Sequence, residues 1–277
     1  AELVRVAGYL AAPVPLAERS LIAGPMLAGA GVALPAGPIA VTAEASEVTL
    51  RSTGSSWSIS GSMRSVAAGR MASYVVTDIV QNDTRVTILA PVVPQSVTPG
   101  TNYAGEPRDA IIFDDVPVQV LADRADGSFM AHGALARALQ MAGALERVLD
   151  MTLRYAQERE QFGQPIARFQ AVAQQLAVLG ECVANARMAA EVAVVSARTE
   201  DAMMAKLIAG ESATVGSAIA HQVFGALGFT RECDLQFLTR RLWSWRDEFG
   251  SESYWAEELG RNVTSRPSRD LWDIITA

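Results

Sequence analysis

Two long apolar stripes separated by one short charged turn constrain this chain more than any other feature. Apolar positions recur at Leu135, Ala138, Leu139, Ala142, Leu145, Leu149 and Leu153, and again at Phe169, Val172, Leu176, Leu179, Val183, Ala186 and Ala190. A three-to-four residue spacing puts each set on one face of a helix. Between them lies the segment from Arg154 to Gln170, where Gly163 permits a tight reversal and Pro165 suits the first turn of the next helix. The two helices are therefore expected to run antiparallel. On spacing alone, Arg159 is a solvated cation closing a helix C-terminus.

The helical pattern continues almost to the end of the chain. Helices near 128–160, 166–199, 201–226 and 232–248 have the lengths of a four-helix bundle, and a short one near 251–260 follows. Asp201 is placed to cap the third, and Gly225 to Gly228 ends it. The tail from Arg261, with Pro267 and mixed charges, is expected to be extended or mobile.

Before residue 123 the character differs. Short runs rich in Val, Ile and Thr span 39–43, 47–51, 57–60, 74–80, 85–90, 110–113 and 116–121, with turns at Thr53-Gly54, Gly61, Asn82-Asp83, Pro99-Gly100 and Gly105-Glu106-Pro107. Period-two segments punctuated in this way predict a small antiparallel sheet domain or barrel. Residues 2–10 and 16–30 form two short helical patterns, parted by Pro13 and Pro15, that cannot close a core of their own. The fold class is α+β: a shortened N-terminal helical region (1–37), a β domain (38–122), a C-terminal helical bundle (123–262) and a tail (263–277). The chain begins at Ala1, already in a helical pattern, which points to residues upstream.

Half of the 277 residues are hydrophobic and 19% are charged, which suits one or two packed domains. A net charge of −7 argues against nucleic acid or an anionic membrane as the main partner. No stretch reads as a signal peptide or membrane span. Two cysteines without metal spacing, Cys182 and Cys233, fit a reducing, cytoplasmic setting. His132 and His221 have no triad or metal constellation around them, and no metal is expected.

Two segments carry the functional signal. The first is Arg159-Glu-Gln-Phe162-Gly163-Gln-Pro165-Ile166, with Phe169-Gln170 shortly after; the second is Gln222-Val-Phe-Gly225-Ala-Leu-Gly228-Phe-Thr230. Taken alone, the glycines of the second form a helix C-cap and turn. Together the segments resemble the R-x-x-F-G and Q-x-x-G-G-x-G-[FY]-T motifs of the acyl-CoA dehydrogenase family, and the resemblance extends over roughly residues 5 to 262. It implies a flavin adenine dinucleotide (FAD) held between β domain and bundle. In the family the flavin takes a hydride from the β-carbon of an acyl-CoA thioester while a glutamate removes the α-proton, and an electron-transfer flavoprotein or similar acceptor reoxidises it. The family's motif residues reach across a dimer interface to a flavin bound mainly by the partner. Carried over, Arg159 would neutralise pyrophosphate, with Gln161, Phe162 and Gln170 beside it, and Gln222, Val223, Gly225 and Ala226 would line the adenosine end.

Other positions depart from the family. Its T-E-P-x-x-G-S-D loop is absent, with Pro38 to Glu44 standing there, and Ser65 and Ala67 replace the aromatic-x-threonine pair that faces the flavin. A gapless count puts Phe249 at the catalytic glutamate and Gly133 at the alternative base position, and phenylalanine cannot accept a proton. Glu248 and Asp247, like Glu252, are substitute bases after a register shift or ordinary charges flanking a helix end. The pattern is expected of one subunit in a heteromer, similar to actinobacterial α2β2 enzymes acting on steroid side-chain CoA thioesters, with a paralogous subunit supplying the base. The alternatives are a self-sufficient homo-oligomeric dehydrogenase and a non-catalytic scaffold.

Overall fold

The computed structural model describes residues 1–265 except 46, 55, 82, 83 and 123–126. The expected Asn82-Asp83 turn and the tail beyond Ser265 lie outside the described residues. In chain order the elements are α1 (Glu2–Tyr9), a π-helical turn (Glu18–Ala23), α2 (Gly24–Gly29), β1 (Ile39–Val41), β2 (Glu47–Thr53), β3 (Ser56–Ala67), β4 (Tyr74–Gln81), β5 (Thr84–Pro91), β6 (Val97–Thr98), β7 (Arg108–Ala122), α3 (Ser128–Glu158), β8 (Glu160–Gln161), β9 (Gln164–Pro165), α4 (Gln170–Ser196), α5 (Thr199–Phe224), α6 (Leu235–Asp247) and α7 (Glu252–Thr264). The α+β class read from the sequence is the one observed. No helix among the described residues is long and apolar enough to cross a membrane.

The sheet has the order β2-β3-β1-β4-β5-β7-β6, and β3 also pairs with β7, so the middle strands close into a small barrel. Its interior is filled by Ile59, Met63, Ile79, Ile88, Ile111 and Phe113. One pairing departs from the antiparallel expectation: β1 runs parallel to β4, with Ile39 opposite Tyr74. Residues 110–113 and 116–121, expected as two strands, are parts of β7. Between them Asp115 adopts φ 49° and the β3–β7 register shifts, so a bulge breaks the alternation without ending the strand.

In the bundle, Met141, Leu145, Leu179, Leu238, Leu242 and Trp245 form the centre, and alanines of α4 and α5 let those helices approach closely. A second cluster joins Ile22 and Leu27 of the N-terminal segment to Ile39, Val76, Phe129 and Phe249, which docks the short helices onto both sheet and bundle. Asp201 is not the cap of α5. The helix starts at Thr199 with Arg198 as the cap residue, and Asp201 lies in the first turn, where its charge suits the helix dipole. Helix α7 runs through Thr264 rather than ending near 260.

Glycines set the crossing of α1 on α3. A Cβ at Gly8 would overlap the Gln140 carbonyl, and one at Gly143 would overlap the Arg5 carbonyl. Gly180 of α4, by contrast, has nothing within 4 Å of the place a Cβ would take. One chemical change should therefore have opposite signs at two sites. Gly143→Ala is expected to destabilise by about 1–3 kcal/mol through overpacking, whereas Gly180→Ala should stabilise by about 0.5–1 kcal/mol through helix propensity. Urea midpoints of the two variants measure this, and a shift of the same sign in both would contradict the packing described.

Candidate active site

The turn between α3 and α4 is a two-residue β-hairpin. Glu160 pairs with Pro165 and Gln161 with Gln164, and the Ile166 amide donates to the Arg159 carbonyl at 2.8 Å. Pro165 therefore sits in the hairpin, not in the first turn of α4. Phe162 and Gly163, at φ 52° and 79°, both occupy the left-handed region that such a turn needs. Glycine takes it freely; for a bulky residue it is strained. Phe162 is nonetheless 93% exposed, its ring meeting the edge of Phe169 at 6.1 Å. Arg159, Gln161 and Gln170 are exposed around it.

At the same end of the bundle, α5 stops at Gly225, φ 61°. Gln222, Gly225 and Ala226 are exposed, whereas Val223 turns its side chain into a cluster with Ala156 and Leu176. Tyr155 stacks on Phe224 at 4.4 Å, which ties the two motif segments together. Thus seven of the eight cofactor-binding candidates are exposed around these two turns at one end of the bundle, and the eighth, Val223, is buried.

The second constellation lies where sheet, bundle and N-terminal segment meet. Arg137 of α3, 1% exposed, donates to Glu248 and to Glu18, each at 2.7 Å, and to Gln140 at 2.5 Å. Arg108 of β7 donates to both Glu248 oxygens at 2.8 and 2.9 Å, and Asn102 adds a bond at 3.2 Å. Glu106 collects Arg241 and the Trp245 indole, at 3.1 and 2.9 Å. Burial alone would raise the Glu248 pKa; the charges of Arg137 and Arg108, with the Asn102 and Arg108 hydrogen bonds, outweigh it and hold the carboxyl below its ordinary value.

Phe249 follows at φ 55°. Its carbonyl accepts from the Trp255 indole at 2.9 Å, while Lys206 donates to the carbonyls of Arg246 and Gly250 on either side of it. So held, the ring is buried against Phe129 and Arg137 and fills the space beside Gly133, where any Cβ would overlap it.

The sequence profile of the acyl-CoA dehydrogenase C-terminal domain matches residues 124–263, half of the chain. The chain belongs to the acyl-CoA dehydrogenase family. It is 34% identical over 108 residues to acyl-CoA dehydrogenase IpdE2 of Mycolicibacterium smegmatis, a match covering 39% of this chain and 35% of that protein. Among solved structures it resembles the ChsE4-ChsE5 complex of Mycobacterium tuberculosis, with TM-score 0.84 and 20% identity over 96% of this chain and 80% of that one. It also resembles the Tcur3481-Tcur3483 steroid ACAD, with TM-score 0.88 and 24% identity over 95% and 80%. The chain spans about a third to just over half of the curated relatives it matches.

Acyl-CoA dehydrogenases are FAD-dependent flavoproteins. In this member, the cleft between barrel and bundle, about 580 Å³, is lined by Glu44, Ser65, Tyr103, Arg108, Asp247 and Glu248. Ser65 donates its hydroxyl to Glu44 at 2.9 Å, Ala67 has no polar group, and Arg108 is committed to carboxylates. The two positions that stand for the family's flavin-facing pair, Ser65 and Ala67, thus leave no free donor for a flavin ring, whose carbonyl oxygens and N5 ask for one. The exposed groups around Arg159 and Gln222 do fit a dinucleotide: a cation for phosphate, three amides and accessible glycine backbone.

Neither Arg137 nor Arg108 stood out from the sequence. The available signal was a charge at position 137 between Leu135 and Ala138, inside a stripe that must be buried. Glu248→Gln should cost about 1.5–3 kcal/mol at pH 7, since a charged partner is lost to a buried arginine. Because the folded pKa is depressed, that stabilisation is present above the ordinary carboxyl value of 4.5 and is lost as pH falls through the folded value. The gap between wild type and variant in urea denaturation should thus be full at pH 7 and narrow below pH 4.5; a gap independent of pH would contradict the ion-paired state.

Proposed function

We propose that this chain is the non-base subunit of a heteromeric FAD-dependent acyl-CoA dehydrogenase that desaturates a CoA thioester between its α and β carbons. A paralogous subunit holds most of the flavin and carries the catalytic glutamate. This chain completes that flavin site with Arg159, Gln161, Phe162, Gln170, Gln222, Val223, Gly225 and Ala226. The observation that carries the reading is the interlock of Phe249 with Gly133: the two positions from which family members present a base are an aromatic ring and the gap that ring fills. A carboxylate at position 133 would need the Phe249 ring cleared first.

Glu248 is a poor substitute, because a carboxylate held below its ordinary pKa by two arginines resists taking the α-proton. Asp247 is exposed. Two likenesses support the heteromeric form: one structural neighbour is a complex of two differently named chains, and the other is a steroid ACAD with a paired designation. A CoA ester of a steroid side chain is the substrate class we assign, and an electron-transfer flavoprotein the acceptor.

The outward half of the site is tested by Arg159→Ala in the complex with the co-expressed paralogue. Losing a charged hydrogen bond to phosphate is worth about 1.5–3 kcal/mol, so the FAD Kd should rise on the order of tenfold to a hundredfold. Circular dichroism and the elution volume should stay as in the wild type, since Arg159 is exposed. FAD affinity unaltered by the substitution would favour a scaffold that kept only the fold.

A further inference from the structure

Helix α4 does not turn a polar side to solvent. Val178, Met188, Val192 and Val195 are exposed on it, and Met204 and Val215 extend the apolar area onto α5. A surface helix ordinarily carries its charged and polar residues there. The exposed charges are few: Glu181, Arg187 and Glu191 on α4 and Glu211 on α5. This face runs away from the two turns of the candidate site, and its far end at Val195 lies about 37 Å along α4 from Gln170. Residues 177–195 and 204–222 each rise about 27 Å on helices packed about 9 Å apart, so the face covers roughly 500 Å². Two such faces in contact would bury about 1,000 Å², the size at which a specific interface becomes stable.

The relief of α4 selects the occupant. Along the crest of this face the half nearer the hairpin is small, with Ala173, Ala177 and Ala184 exposed. The half nearer the turn into α5 is large, with Met188, Val192 and Val195, the last 87% exposed. A two-fold axis at Ala184 lays the large half of one copy over the small half of another and sets Val195 level with Ala173. The same operation sets Arg187 level with Glu181. Glu181 has no ion-pair partner among the described residues, and the half-exposed Arg187 pairs with Glu191 one turn on, at 2.7 Å, and with Glu146 at 3.7 Å. An isologous contact makes every such pair twice.

We infer that α4 is the contact between two copies of this chain, crossing antiparallel at Ala184. The inference deepens the subunit reading and rests on it for the assembly: the paralogue takes the hairpin end, and an isologous contact between like chains closes the complex at two of each.

Cross-linking at the axis tests it. In Ala184→Cys the two introduced thiols meet, so mild oxidation should join like chains into a covalent dimer on a non-reducing gel, both in the complex with the paralogue and in the chain purified alone. Val178→Cys, about 18 Å from its own mate in this register, should give no such band. Neither should the wild type, whose Cys182 is partly buried and Cys233 buried. Ala184→Glu sets like charges on the axis and should raise the Kd of the like-chain dimer on the order of a hundredfold by sedimentation equilibrium. It should also halve the mass of the complex with the paralogue while leaving FAD per pair of chains unchanged. No cross-link at position 184, an equal cross-link at 178, or a mass unaffected by Ala184→Glu would overturn the inference. A complex with flavin that holds a single copy of this chain removes this inference and leaves the subunit reading standing; a like-chain dimer cross-linked at 184 that takes up neither paralogue nor flavin does the reverse.

Discussion

Glu248 lies between Arg137 of the bundle and Arg108 of the barrel, and Arg137 continues to Glu18 of the N-terminal segment. These bonds join the same three parts of the molecule that the apolar cluster around Phe129 and Phe249 brings together. An arginine buried this deeply is tolerable only with carboxylates on it, and removing either partner leaves a charge with nowhere to go. The same bonds occupy Arg108 and Arg137 at the junction of barrel and bundle. What holds the fold together at this junction thus also shapes its chemistry: the two arginines that could meet an incoming oxygen there are held by carboxylates of the chain itself.

Backbone strain marks the two ends of the argument. Phe162 and Phe249 both occupy left-handed conformations that bulky residues avoid, each followed by a glycine that shares the turn. Their surroundings are opposite. Phe249 is buried, its flanking carbonyls tied down by Lys206, and the ring replaces a reacting group with packing. Phe162 is in solvent at a hairpin tip, with its ring at the edge of Phe169. A partner surface that covers Phe162 would account for it. The chain is inward-closed at one site and outward-reaching at the other.

Much of this was legible beforehand because long apolar stripes at helical spacing admit few other folds. The helices of the bundle follow Leu145, Leu179 and their neighbours closely, and the reversal was visible in Gly163, although its hairpin form, with Pro165 paired to Glu160, was not. Strand limits were harder. Gly61 and the polar residues Ser62, Arg64 and Ser65 hid the second half of β3, and the bulge at Asp115 split β7, because alternation is lost wherever a strand gains a residue. The parallel run of β1 beside β4 was out of reach, since period two carries no direction. The departures at Phe249 and Gly133 could be counted from the motifs, but their mutual contact could not, since it joins α3 to the turn after α6. Arg137 and Arg108 were missed for a like reason: pairing across three parts of the fold leaves no local pattern.

The account's central claim is that this polypeptide grips a flavin it does not itself seat, and counting flavin measures that most directly. The chain purified alone, and the chain purified with a co-expressed paralogue, should be unfolded and their FAD quantified against protein by absorbance. The account predicts no bound flavin in the first sample and one FAD for each pair of unlike chains in the second. One FAD per chain in the sample purified alone, with turnover of an acyl-CoA, would contradict it.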